Sequence, residues 1–263
     1  VVQIAMGWED QFDADRLRDV PAYKIVAYPQ PDEAPLSAQS PLSHFENSVE
    51  MRDNKRILET LECSWIGGLS EDRDVVVLDI DASDYEEHSL LELLAYCVFQ
   101  KAHIHHPVFV MDGQTGDVIS AILRPGSVGD ERGAIGVLRR LIDRIKSLRA
   151  DIDVVVRGDA GFAKPELYRM LERRNRLWGG VSYVFGIAKN PVLNRKLEDA
   201  TRAARHTYER TGRVERSFRW LQYEAESWET TRSVVGKAEV GPQGENPRYV
   251  VTNVDDIPPR FTY

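Results

Sequence analysis

The sequence predicts an α/β fold, a mixed sheet with helices on its faces. Three features predict it: two β-branched runs that each close on aspartate, a hairpin pattern between them, and amphipathic helices that follow.

Residues 1–47 mix short helical stretches with the connectors Tyr28-Pro29-Gln30-Pro31 and Ala34-Pro35, which predicts an approach segment rather than a compact domain. From Ser48 to Trp65, Val49, Ile57, Leu58 and Leu61 recur at helical spacing among charges, so an amphipathic helix should end near Gly67-Gly68. Val75-Val76-Val77-Leu78-Asp79-Ile80-Asp81 then reads as a buried strand that reaches a functional edge. Pro107 to Met111, the turn Asp112-Gly113-Gln114-Thr115-Gly116 and Asp117 to Leu123 read as a hairpin. Residues 130–149 predict a strongly amphipathic helix.

The second acidic strand is Asp153-Val154-Val155-Val156-Arg157-Gly158-Asp159, followed by Ala160-Gly161-Phe162 and a helix opening at Pro165, an accepted first-turn position. Val181 to Ile187 gives a fifth core strand, and Pro191 to Tyr208 a further helix. Between Arg213 and Val240 the pattern alternates, with Phe218, Trp220, Tyr223 and Trp228, which predicts a β-rich antiparallel insertion. Tyr249 to Asn253 should return to the core. The implied organisation is an approach segment and helix at 1–70, a core at 71–212, the insertion at 213–247 and a return strand at 248–263.

At 263 residues and 42% hydrophobic, the chain can bury one large core or two modest ones. No run approaches the roughly 18 apolar residues of a membrane span, so a soluble, cytoplasmic protein with no membrane partner is expected. A net charge of -8 excludes a surface that is basic throughout, and any phosphate contact must be local. Arg139, Arg140, Arg144, Lys146 and Arg149 form one basic cluster, and Arg169, Arg173, Arg174 and Arg176 another. Both lie on expected helices, where a solvated face is the ordinary account. Cys63 and Cys97 lack Cys-x-x-Cys spacing and read as buried free thiols. The chain opens on Val1 and closes on Phe261-Thr262-Tyr263, as an excerpt of a longer protein would.

Asp81 and Asp159 stand 159 − 81 = 78 residues apart, with a hairpin and a long helix between them. If their strands are parallel neighbours, the carboxylates converge at one edge, where hard oxygens can hold Mg²⁺. Paired ions roughly 3.5–4 Å apart activate a water or 3′-hydroxyl for in-line phosphoryl displacement. Aspartates at strand ends also cap helices and satisfy turns, and spacing alone leaves both accounts open.

Val77-Leu78-Asp79-Ile80-Asp81-Ala82-Ser83-Asp84, Phe109 to Gly116 with Leu123-Arg124-Pro125-Gly126, and Arg157-Gly158-Asp159-Ala160-Gly161-Phe162-Ala163 together resemble the core of DDE insertion-sequence transposases. Leu36 to Asn47 is similar to that family's pre-catalytic block, and Tyr183 to Pro191 to the segment after its second aspartate. Ser227-Trp228, Lys237-Ala238-Glu239 and Val250 to Asn253 fit its insertion and the strand beyond.

The resemblance implies an RNase H-like sheet, Asp81 as the first carboxylate with Asp79 as the alternative, Asp159 as the second, and Mg²⁺ or Mn²⁺ held by them. It implies DNA partners, namely transposon terminal inverted repeats and target DNA, bound by a homodimer in a bacterial, nucleoid-associated setting. The third ligand should be a glutamate beyond the last strand. Glu224, Glu226, Glu229 and Glu239 lie inside the insertion and are not assigned to it, so the fragment itself is expected to be inactive. Leu90 to His106 lacks the Gly- and Tyr-rich stretch of the family, and Ser127 stands where it has Asn.

Two alternatives remain: an inactive DNA- or protein-binding remnant, and a haloacid-dehalogenase-like phosphatase with Asp79 as nucleophile and Asp81 as acid/base. Arg124 and Lys189 could contact phosphate or form salt bridges. Trp178, Trp220 and Trp228 could stack on bases or fill a core. His103, His105 and His106 fit a polar strand entry better than a metal site, since no carboxylate or Cys partner is evident.

Overall fold

The computed structural model describes residues 2–262 apart from 9–10, 28–29, 31, 33, 87–93, 98–99 and 255–256. Tyr28, Pro29 and Pro31 of the predicted connector, part of the Leu90 to His106 stretch, and Tyr263 therefore lie outside the described residues. The chain divides into two units, residues 1–60 and 61–263. Among the described residues no helix is long and apolar enough to cross a membrane.

Among its described residues the first unit has the short helices α1 (Val2–Ala5), α2 (Ala14–Leu17), α3 (Pro21–Ala27) and α4 (Gln39–Asn47) and a 3-10 turn at Gln11–Asp13 before α5 (Met51–Gly67) begins. It buries Ala14 and Tyr23 but leaves Ile4, Phe12, Ile25, Val26, Phe45 and Ile57 exposed. Little apolar surface leaves water here among the described residues.

The second unit is built on a nine-stranded sheet. Its strands are β1 (Val75–Ala82), β5 (Val108–Asp112), β6 (Val118–Ile122), β7 (Asp153–Gly158), β8 (Val181–Ile187), β9 (Glu215–Tyr223), β10 (Arg232–Gly241), β11 (Gly244–Glu245) and β12 (Arg248–Thr252). Three short strands, β2 (Tyr85–Glu86), β3 (Ala95–Cys97) and β4 (Ala102–His105), make a separate sheet. Along the large sheet the order is β6-β5-β1-β7-β8-β12-β10. β5 runs antiparallel to β1 and β6, whereas β1, β7 and β8 run parallel to one another. This is the mixed sheet flanked by helices that the sequence predicted.

Alternate residues of the central strands, Val76, Leu78, Ile80, Val154, Val156, Tyr183 and Phe185, are fully buried or nearly so. They form one core with Leu138, Leu141 and Ile145 of α6 (Ala134–Leu148), Leu167 and Leu171 of α7 (Pro165–Trp178), and Leu193 and Leu197 of α8 (Pro191–Thr211). The period of two in the strands meets the period of 3.6 in the helices. α7 opens on Pro165, and α8 opens on Asn190, whose side chain accepts from the N–H groups of Val192 and Leu193.

Beyond β8 the aromatic-rich stretch forms β9 and β10, and β12 pairs with both β8 and β10. The hairpin thus continues the core sheet instead of standing apart. A short α9 (Pro259–Thr262) follows.

Two helices differ from expectation. α6 starts at Ala134 because residues 130–133 form a turn that closes on Gly133 at φ 86°. In α5 the apolar stripe is not what is buried: Ile57 and Leu61 are exposed, while Glu62 is fully buried. Glu62 accepts from Ser120 and from Arg140 and Arg144 of α6, so an ionic network stands beside the apolar contacts of Trp65 and Ile66 with the core.

Candidate catalytic carboxylates

Asp81 is the next-to-last residue of β1, and Asp159 directly follows β7. In the parallel register Ile80 pairs with Gly158, so the next pair along the two chains is Asp81 and Asp159. Two carboxylates are brought to one edge by the neighbouring strands on which the sequence placed them. Both are exposed. Asp81 accepts the Ala82 N–H at 2.9 Å and Asp159 the Gly161 N–H at 2.9 Å. These are local turn bonds, and neither carboxylate has an ion pair among the described residues.

Asp79 is situated differently. Arg157, its register partner on β7, donates to both of its oxygens at 2.7 and 2.6 Å. That hydrogen-bonded pair raises the Arg157 pKa. With both oxygens held by a guanidinium, Asp79 is a poor open nucleophile, and the phosphatase-like alternative loses its attacking group.

The cations near this edge also separate. Lys189 is exposed just beyond β8. Arg124 is only 4% exposed and donates to the carbonyl oxygens of His106, Gly129, Asp130 and Arg132. Burial lowers its pKa, opposed by Asp130 and Glu131. It is a loop anchor, and the phosphate role allowed by the sequence is closed to it. Beside it, a Cβ on Gly126 would lie 2.3 Å from the Ile104 carbonyl oxygen, so this close backbone approach requires glycine.

Sequence reading missed one constellation. His106 Nδ1 lies 2.7 Å from Asp84 Oδ1, and its Nε2 lies 2.6 Å from Asp130 Oδ1. The three residues come from separate segments, so no spacing rule could join them. Of the other histidines, His105 is buried and His103 packs edge-on to Tyr96.

Most of the remaining singled-out groups have partners in the scaffold, while Arg139, Arg173 and Arg176 are exposed. Arg140 and Arg144 hold Glu62, Arg149 holds Asp151 and three carbonyls, and Lys146 is buried. Arg174 pairs with Asp143, and Arg169 with Glu166 and Glu229. Glu224 accepts from Thr231, and Glu239 pairs with Arg216 and Lys237. Trp228 packs against Tyr168 and Tyr223 in the core, whereas Trp178 and Trp220 donate to Asp143 and the Ile257 carbonyl. Both cysteines are free, but Cys63 is exposed and Cys97 half-buried, contrary to the expected burial. Their helix and strand face water at those positions.

The chain is thus a mixed sheet flanked by helices, with two exposed carboxylates at the ends of neighbouring parallel strands. The chain belongs to the family Transposase DDE domain group 1, which matches residues 1–263. Among solved structures it is similar to a piggyBac transposase synaptic complex with hairpin DNA, at 10% identity and TM-score 0.39, covering 69% of this chain and 34% of that one. It therefore spans about a third of the length of that transposase. It is also similar to the NurA nuclease from Sulfolobus solfataricus, at 9% identity and TM-score 0.35, covering 84% of each chain. A third is an endonuclease V from Ciona intestinalis in complex with DNA, at 11% identity and TM-score 0.29, covering 77% of this chain and 83% of that one. Among curated proteins none matches.

Proposed function

We propose that the protein carrying this chain cleaves and joins DNA strands at transposon ends, with Asp81 and Asp159 as two carboxylates of a divalent-metal site. The observation that supports this reading is the β1/β7 register, in which Asp81 and Asp159 each follow the last paired residues of neighbouring parallel strands while Asp79 is tied to Arg157. The donor set fits Mg²⁺ or Mn²⁺: hard oxygens from one or two carboxylates, with water and phosphate completing the shell. When bound, the cation would supply an activated water or 3′-hydroxyl and stabilise the leaving oxygen. Asp81 and Asp159 hold it at the sheet edge, and Lys189 lies exposed near that edge to contact the DNA backbone.

Among the described residues no third His, Cys, Asp or Glu joins the pair in a metal-holding group. The partners are terminal inverted repeats and target DNA, handled by a homodimer that pairs two ends. In the whole transposase, Asp81→Asn or Asp159→Asn should lower Mg²⁺-dependent strand cleavage by several kcal/mol of transition-state stabilisation, about a thousandfold or more. Unaltered cleavage by the Asp159 variant would remove the assignment.

The second reading is a remnant that binds DNA or a protein without cutting. It expects residues 1–263 alone to show no strand transfer with Mg²⁺ or Mn²⁺ on a nicked-end substrate, and detectable transfer ends it.

A further inference from the structure

We propose that Asp84, His106 and Asp130 form a clamp that fixes the two catalytic loops relative to each other, with His106 as a positioning residue. The inference rests on the reading of Asp81 and Asp159 as the carboxylates of the site.

Asp84 lies three residues beyond Asp81, in the segment that leaves β1. His106 Nδ1 meets it at 2.7 Å, and Gln100 also donates to it. On the other side of the ring, His106 Nε2 meets Asp130 at 2.6 Å. Asp130 in turn lies against the loop of the second carboxylate: a Cβ on Gly161 would sit 1.9 Å from Asp130 Oδ2. Gly161 is the residue whose N–H is bonded to Asp159. A chain of contacts thus runs from the Asp81 segment through Asp84, His106, Asp130 and Gly161 to Asp159.

The middle of that chain is held rigidly. The His106 backbone exchanges hydrogen bonds with Arg124: its N–H donates to the Arg124 carbonyl at 2.9 Å, and its carbonyl accepts from Arg124 Nε at 2.8 Å. The same guanidinium holds the Asp130 carbonyl at 2.7 Å. The His106 side chain is 13% exposed, against 34% for Asp84 and 35% for Asp130. A ring bonded through both of its nitrogens to partners on separate segments is fixed in position and in plane. Partners outside the ligand shell orient the ligands, and their loss typically costs about 10–100-fold in metal affinity.

The test compares residues 1–263 with His106→Phe, which keeps a ring but no donor, and with Gly161→Ala, which displaces the Asp130 carboxyl from outside the ring. Hydrogen exchange is read over residues 82–86 and 159–163, and Mn²⁺ binding by water-proton relaxation. Both variants should speed exchange in both segments, leave β1 and β7 protected, and weaken Mn²⁺ binding by about 10–100-fold. Asp159→Asn is the reference that removes binding.

Unchanged exchange in either segment overturns the clamp, as does undiminished Mn²⁺ affinity in His106→Phe while affinity still depends on Asp81 and Asp159. If the exchange effects appear but the unsubstituted chain binds no Mn²⁺, the clamp stands and the metal reading falls. Where His106→Phe fails to fold, the Gly161→Ala result decides alone.

Discussion

Asp112 and Asp159 have similar local sequence: each closes a Val-rich strand and is followed within two residues by glycine. Their surroundings are opposite. Asp112 is fully buried, and Arg73 donates to both its oxygens at 2.7 Å. Burial alone would raise its pKa, but the Arg73 hydrogen bonds, the Gln114 N–H and the Arg73 charge bring it down to about 2. Asp159 is exposed and has only a turn bond. β5 runs antiparallel to β1 and β7 parallel to it, so Asp112 pairs with Leu78, back along β1 from Asp81, while Asp159 follows the end of β7 that lies beside Asp81. A strand that ends in acid therefore has its carboxylate buried and paired, or exposed and open, according to the direction in which the strand runs.

The largest expected effect is at the buried pair. Arg73→Met leaves the Asp112 carboxylate buried without its cation and should destabilise the chain by about 3–5 kcal/mol in urea unfolding. A loss below about 1 kcal/mol, the worth of an exposed pair, would erase the distinction.

Acid sharpens the same contrast. The folded pKa of Asp112 is depressed, so the unfolded chain takes up its proton first as pH falls. Its contribution is complete above about pH 4 and lost as pH falls through about 2, roughly 2 kcal/mol in all. Asp112→Asn should therefore be less stable than the parent at pH 6, with a difference that narrows toward pH 2. A constant difference would assign the effect to packing.

Asp79 stands between the extremes, since the Arg157 and Asp79 side chains are 49% and 30% exposed. Arg157→Met should cost no more than about 1 kcal/mol, with the loss shrinking in high salt. The smallest effect belongs to Asp159→Asn, within about 0.5 kcal/mol, because its turn bond survives in the amide. A larger loss would show that Asp159 is part of the scaffold.

The main strands of the large sheet, their order along the chain and the two acidic strand ends were legible because each depends on near neighbours, whereas the small β2-β4-β3 sheet was not foreseen. β-branched runs select extended backbone, Pro165 and Pro191 open helices, and the amphipathic period of α6 matches its burial. Where long-range partners decide, the local pattern misled. The apolar stripe of α5 predicted the wrong buried face, because Glu62 is held by Arg140 and Arg144, about eighty residues away. Arg124 looked available for phosphate, but it is buried by a loop that its own hydrogen bonds organise.

By itself the sequence determined an α/β chain with aspartates at the ends of two buried strands, since side-chain alternation and turn chemistry act within a few residues. The tertiary structure decided which aspartates stay open, which are bound by arginine, and that His106 joins Asp84 to Asp130. Those outcomes depend on strand direction and register, which bring together charges that are far apart along the chain.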